Sequence, residues 1–439
     1  MVPSHDSTIL ILGSGCFGTS TAYHLLQRGY TNVTILDKSP SLPAPDAGSN
    51  DINRIVRSSY ADSFYAQLAR EAIELWKMKE VWGDAYHESG VVVLGANKEF
   101  LHDPSNDTQD LTGVTESTYA EGAYLNDIAI GGRVSSLLSG KDISSVFPST
   151  ISLGSFENKS GYLNRDGGWA NAGQGLEIMI GKVRSLGGNI YSGKQVEKIV
   201  VEQGKCKAVV CSDGSHYAAE VVVIATGSWT PSVFPDLNVK DAFLATGQCI
   251  AMVQLSHEEA DRYRDVPVFL DFDTGFYVFP PTEKNIVKVA IHSAGYTHTV
   301  DNISTPRTIS SHREDGLAIP KTEHDRLKRH LAQVYPEISE KEFTGTRMCW
   351  YNDSKDGDWV ISKHPDIEGV AFATAGSGHA YKFLPVIGRV VADLLEDRLD
   401  PQTAAKFAID RTIIYRDTSR TGSPQELNLQ ELLTANDKS

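Results

Sequence analysis

TILILGSGCFGTSTAYHLLQRGYTNVTILD, residues 8–37, reads as a strand, a glycine turn, a helix and a second strand. The turn carries G-x-G-x-x-G at Gly13, Gly15 and Gly18. In such a turn the first glycine permits the tight bend. The second lets a pyrophosphate approach the backbone, and the third lets the helix pack close to the strand. The phosphates would sit on the helix N-terminus, so Cys16 and Phe17 join the glycines as expected cofactor-binding positions. The second strand ends at Asp37, about 20 residues beyond the turn, where a carboxylate can accept hydrogen bonds from a ribose hydroxyl pair. An acid there favours free hydroxyls over a 2′-phosphate. The pattern predicts a dinucleotide-binding βαβ unit and leaves FAD and NAD both open.

Working outward, 439 residues exceed the usual size of one hydrophobic core, so two domains are expected. A formal net charge of -15 argues against nucleic acid or an anionic membrane as partner, while leaving room for a local basic site that binds a small acid. The polar start MVPSHDST does not read as a secretory signal, and no apolar run approaches the ~20 residues that span a bilayer. The ending NDKS is not the peroxisomal tripeptide, so a cytoplasmic protein is expected. Five scattered cysteines without C-x-x-C fit a reducing compartment and no metal site.

After Asp37 and Lys38 comes a Pro/Ser/Gly-rich loop, KSPSLPAPDAGSNDINRIVRSSY, too polar to read as core and long enough to suggest function. It carries Asn53, Arg54, Ile55 and Arg57. A helix is predicted over residues 63–79 and a buried strand over 90–94, with loops and short helices through the acidic stretch 96–145. The α/β pattern returns with a helix over 169–186 and strands after it, one of them holding Val196. VVVIATG, residues 221–227, reads as a fully buried strand ending beside a nucleotide.

From residue 243 to 279 longer alternating strands indicate an antiparallel sheet. The hairpin FYVFPPTEKNIVKVAIHSAGY follows, with Lys288 and His292 four positions apart and so on one face. Lys288 stands among Ile286, Val287, Val289 and Ile291, and burial of a cation needs a reason. A helix is predicted over 323–334. Near the end GVAFATAGSGHAYKFLPVIGRVVADLLE reads as strand, glycine-rich loop and helix, with Pro385 suited to the helix's first turn. The tail after residue 416 is polar and expected to be loosely held.

Four separated motifs, GSGCFG, NRIVRSSY, KVAIH and MCWY followed by GSGHAYKF, together resemble the flavin-dependent amine oxidases of the monomeric sarcosine oxidase family. That family includes fungal pipecolate, saccharopine and fructosyl amino acid oxidases (amadoriases). The resemblance implies an α/β fold with a discontinuous Rossmann-like FAD domain over residues 1–88, 150–235 and 345–439. A substrate domain on an antiparallel sheet would comprise 89–149 and 236–344. It implies oxidation of a secondary amino acid with O2 as acceptor and H2O2 as product.

Taken alone, Cys349 is an ordinary buried apolar residue. The resemblance makes it the covalent 8α-S-cysteinyl anchor of the FAD. Arg57 and Lys382 map onto the pair that clamps the substrate carboxylate, a job suited to a planar guanidinium and an ammonium. Arg54 maps onto the arginine near the flavin ring, and Lys288 onto the lysine whose charge assists oxygen reduction. His292 and Tyr351 map onto positions that shape the pocket. The expected cofactor contacts are Gly13, Gly15, Cys16, Phe17, Gly18, Asp37, Lys38, Asn53, Arg54, Ile55, Val196, Gly378, His379, Tyr381 and Lys382.

Fructosyl amino acid oxidases carry N-K where this chain has Asn53-Arg54. They carry a glutamate where it has Phe279, and commonly a second cysteine where it has Tyr351. These departures favour a pipecolate- or saccharopine-like substrate, with fructosyl and N-methyl amino acids next. A NAD-linked dehydrogenase and a flavin-dependent tailoring enzyme of secondary metabolism are the alternatives of another class. A monomer is expected.

Overall fold

The computed structural model describes residues 2–101, 118–237, 239, 241–414, 419–420 and 422–434. The opening segment forms strand Ile9–Leu12, helix Cys16–Gln27 and strand Val33–Leu36. Ile9–Leu12 lies inside a six-stranded sheet, between Val33–Leu36 and Val221–Ile224, parallel to both. Asn189–Tyr191 extends one edge; Val370–Thr374 and the antiparallel Val360–Lys363 complete the other. The three central strands are buried at every residue, as strands covered on both faces must be. Gly13 has φ +101°, and a Cβ there would lie 2.6 Å from the Ala225 carbonyl oxygen. A Cβ on Gly18 would lie 1.9 Å from the Gly13 oxygen, so the turn and its helix close only with glycine at both places.

The second body is a ten-stranded sheet centred on Leu244–Gln254, which pairs antiparallel with both Ile286–Ile291 and Gly345–Asp353. The predicted hairpin forms between Phe276–Val278 and Ile286–Ile291. The sheet is largely antiparallel, but Val268–Asp271 runs parallel to Val91–Leu94. These two strands are far apart in sequence, so no hairpin turn dictates their direction. Val287, Val289 and Ile291 join a cluster with Leu327, Leu331 and Val334 of helix Lys321–Val334. Ala290 belongs instead to a cluster with Tyr277, Phe279 and Cys349 on the opposite face, and by strand alternation Lys288 points that way.

Several sequence expectations shift. The helix predicted from residue 169 begins at Ala172, because Asn171 caps it by accepting from the Gln174 amide at 3.1 Å. Trp169 instead lies in strand Gly168–Ala170, stacked on His87 at 4.0 Å. The helix predicted over 63–79 stops at Trp76. Pro385 precedes the cap residue Val386 rather than entering the first turn.

The loop read as too polar for core buries Asp51, Asn53 and all of residues 56–60, and the Asp51 carboxylate and the Ser58 and Ser59 hydroxyls are matched by partners. Within the acidic stretch the chain forms Tyr119–Ala129, Val134–Leu137 and Gly140–Ser145. Residues 102–117, and the tail at 415–418, 421 and 435–439, lie outside the described residues. The described part of the tail is tied down: Gln425–Glu426 pairs with Tyr296–Thr297, and Leu427 and Leu432 enter the core.

Candidate active site

The loop from the first body, the inner face of the large sheet and the GSGHAYKF turn converge on one place. Strand Arg54–Val56 pairs with Gly168–Ala170, which aims Arg54 toward the large sheet. Its Nη1 donates to Asp51 Oδ2 at 2.5 Å, and its Nη2 donates to the Gly48 carbonyl at 2.7 Å and to Cys349 Sγ at 3.1 Å. Cys349 is fully buried within Gly345–Asp353.

Lys288, also without exposed surface, reaches the same carboxylate: Nζ donates to Asp51 Oδ2 at 3.0 Å and to the Asn53 carbonyl at 2.6 Å. Burial pushes the Lys288 ammonium down to about 8, with Asp51 opposing that shift. Burial works against the charge on Asp51 too, but Arg54 and Lys288 outweigh it and hold the carboxyl well below the usual carboxylate range. Phe279 covers this triad, its ring 4.8 Å from Lys288 Nζ.

Arg57 and Lys382 form a second group. Both are buried, and among the described residues neither has a carboxylate within ion-pair distance. Arg57 Nη1 donates to the Ser59 carbonyl, and its guanidinium sits 4.8 Å from the Tyr60 ring. Lys382 Nζ donates to the Tyr60 hydroxyl at 2.7 Å and to the His379 carbonyl at 2.9 Å. Burial, and then the nearby Arg57, push the Lys382 ammonium well below its ordinary range. A small cavity is lined by Arg54, Ile55, Arg57, Phe279, His292, Tyr351, Gly378, His379, Tyr381 and Lys382. A larger chamber of about 680 Å³ shares His292 and His379 with it and continues to Tyr119, Asp353 and Arg420.

His292, one residue past its strand, bonds Ser419 Oγ through Nε2 at 2.9 Å. Burial, with Arg420 and Arg57 near, keeps its ring neutral, and burial with Lys382 does the same for His379. Tyr351 lies under the Arg420 guanidinium, 5.2 Å away. Tyr381 donates to the Ala172 carbonyl at 2.9 Å.

The remaining expected contacts line the other end of the loop. Asp37 accepts from the Ser14 amide and hydroxyl at 2.7 and 2.6 Å and from the Ser39 amide at 2.8 Å. Lys38 stands 3.6 Å over the Trp229 ring, its ammonium pushed down to about 8 by burial. Val196 is packed with Leu36 and Ile224 two residues after Lys194, whose amide bonds the Asp37 carbonyl at 2.7 Å. Cys16 donates its amide to Ser49 Oγ at 2.9 Å, while Phe17 meets Trp359 edge-on within the core. Sequence reasoning missed Asp51 and Tyr60. Nothing in the pattern separates Asp51 from Asp46 on the same loop, and Tyr60 is marked only by its closeness to Arg57.

A sequence profile described as FAD dependent oxidoreductase matches residues 8–394. The chain belongs to that family. L-saccharopine oxidase of Schizosaccharomyces pombe is 30% identical over 404 residues, covering 88% of this chain and 89% of that protein. Monomeric sarcosine oxidase of an Arthrobacter species is 23% identical over 411 residues, covering 92% and 96%. The crystal structure of a thermally stable fructosyl peptide oxidase mutant superposes with a TM-score of 0.83 at 26% identity, covering 97% and 98%. The relationship read from the four motifs therefore holds, and the NAD-linked alternative gives way to FAD.

The residues present fit an FAD. Gly15 offers helix Cys16–Gln27 no side-chain cap, and Ser49 Oγ takes the Cys16 amide, which leaves the later first-turn amides for an anion. Asn53 is fully buried beside Arg54 and Lys288, yet among the described residues neither Nδ2 nor Oδ1 has a partner. A buried amide in that state calls for a polar ligand atom. Asp37 keeps acceptor capacity on Oδ1 for a ribose hydroxyl.

Proposed function

We propose that this FAD-dependent oxidoreductase is an oxidase of a secondary amino acid of the pipecolate or saccharopine kind, yielding an imine that water hydrolyses. One observation carries the reading. Two buried basic groups, Arg57 and Lys382, meet at Tyr60 in one cavity, and among the described residues no carboxylate lies within ion-pair distance of either, so a substrate carboxylate supplies the missing charge. Bound FAD would accept a hydride equivalent from the carbon beside nitrogen and pass the electrons to O2, releasing H2O2.

The chain's own residues set the terms of that chemistry. Arg57 and Lys382 fix the carboxylate and hence the adjoining carbon. The cations around the cavity disfavour a protonated substrate amine and so raise the share of the reactive neutral base. Lys288 provides a fixed positive charge for oxygen as it gains electrons, and Arg54 places its fork against Cys349. Cys349 would anchor the cofactor through sulfur; a pellet that stays yellow after acid precipitation supports this, and a colourless one removes it.

The apolar wall formed by buried Phe279 favours pipecolate or saccharopine over sugar-bearing substrates, while the 680 Å³ chamber is roomy enough for an extended N-substituent. Likeness to a fructosyl peptide oxidase makes fructosyl amino acids the second reading. Peroxide release from pipecolate, saccharopine, sarcosine and fructosyl-valine decides between them. Turnover of the first two is expected, and silence across the panel would sink the proposal in favour of a tailoring role. Five free, buried cysteines suit a reducing compartment, in line with a cytoplasmic enzyme.

A further inference from the structure

R-S-S-Y-A, residues 57–61, places two small hydroxyls directly after the clamp arginine. They face Asp127 of helix Tyr119–Ala129, a carboxylate with no exposed surface. Asp127 Oδ1 accepts from Ser58 Oγ at 2.6 Å. Its Oδ2 accepts from Ser59 Oγ at 2.9 Å, Tyr162 OH at 3.0 Å and Asn164 Nδ2 at 2.9 Å. Every donor is neutral, and among the described residues no cation lies within ion-pair distance of Asp127. A buried carboxylate held in this way is expensive, because four neutral hydrogen bonds replace its hydration without a countercharge.

The next residue back extends the grip. Asn126 Nδ2 donates to the carbonyls of Tyr60 and Ala61, both at 2.9 Å. Asn126 and Asp127 therefore hold four successive residues, 58–61, by hydroxyl and carbonyl in turn. The held segment supports both clamp cations. Arg57 Nη1 is fastened to the Ser59 carbonyl, and Lys382 Nζ to the Tyr60 hydroxyl.

We propose that Asp127 is a positioning residue for the carboxylate clamp, holding Arg57 and Lys382 at a fixed separation through residues 58–60. The inference rests on the reading of those two cations as the clamp. Asp127 never touches substrate. It acts by denying the segment other conformations, so the cations need no reordering when the carboxylate arrives.

The test uses the purified holoenzyme and an inert ligand, pyrrole-2-carboxylate, whose aromatic ring offers no oxidisable C–H beside nitrogen. Pyrrole-2-carboxamide serves as its neutral control. Binding is measured by equilibrium dialysis, independently of turnover. Asp127→Asn should weaken carboxylate binding about tenfold, roughly the 1.4 kcal/mol of one charge-assisted hydrogen bond. It should leave carboxamide binding unchanged and raise KM with kcat kept within about twofold.

Ser59→Ala, which cuts the link while retaining the carbonyl, should weaken carboxylate binding about threefold in the same selective way, and it decides the matter if Asp127→Asn does not fold. Equal weakening of both ligands, or no weakening in either variant, overturns the proposal. If Arg57→Ala itself leaves carboxylate binding intact, the clamp reading falls instead.

Discussion

Lys288, proposed to assist oxygen reduction, is a buried amine whose charge is set by its neighbours. Its charge is present below pH about 8 and absent above, because burial outweighs the help of Asp51. The reaction of reduced enzyme with oxygen should therefore slow as pH rises through about 8. Stopped-flow mixing with oxygen across a pH series checks this, and a flat profile would count against the role of Lys288. Lys288→Met should cost on the order of a hundredfold in that step while sparing reduction by substrate. Asp51→Asn removes the carboxylate that props up the Lys288 pKa, so the inflection should move to lower pH. Lys288 was legible because a lysine inside I-V-K-V-A-I demands explanation. Asp51 was not, since beyond its local pairing with Arg54 its weight comes from a partner 237 positions away.

At the scale of elements, the nucleotide helix depends on a crossing that the chain text hides. Helix Cys16–Gln27 meets Ile387–Leu395 so closely that a Cβ on Gly388 would lie 2.0 Å from the Ser20 carbonyl oxygen, and the Gly388 amide donates to Ser20 Oγ at 2.9 Å. Gly388→Ala should destabilise the protein by about 1–3 kcal/mol through overpacking, seen as a lower Tm. An unchanged Tm would mean that the two helices can slide apart. The strand-turn-helix unit itself was readable, because hydrophobic period and glycine spacing are local properties. The start of the helix at Ala172 was misjudged because Trp169 fits a helical stripe equally well. Only pairing with Arg54–Val56 and Tyr86–His87 draws it into a strand.

Across the whole molecule the chain crosses between the two sheets repeatedly, and the Asp51–Lys288 bond joins them at the centre. Neither body is a continuous piece of sequence, so both should unfold together. Thermal transitions followed by far-UV circular dichroism and by flavin fluorescence should share one midpoint, whereas two separated midpoints would show independent bodies. The depressed Asp51 carboxyl contributes stability that is fully present above its unfolded value near pH 4 and is lost as pH falls below it. The urea midpoint should accordingly drop under acid, and less steeply in Asp51→Asn.

What the sequence determined by itself was the nucleotide fold and the family. Both are written in local spacing: the turn from Gly13 to Asp37 and the four separated motifs. What only the tertiary structure decided was which charges meet. Arg54 and Lys288 find their counter-ion in Asp51, while among the described residues Arg57 and Lys382 have no carboxylate within ion-pair distance, and that contrast is what the proposed carboxylate site rests on. Coulombic pairing acts through distance and burial, and neither exists until the two sheets have closed on each other.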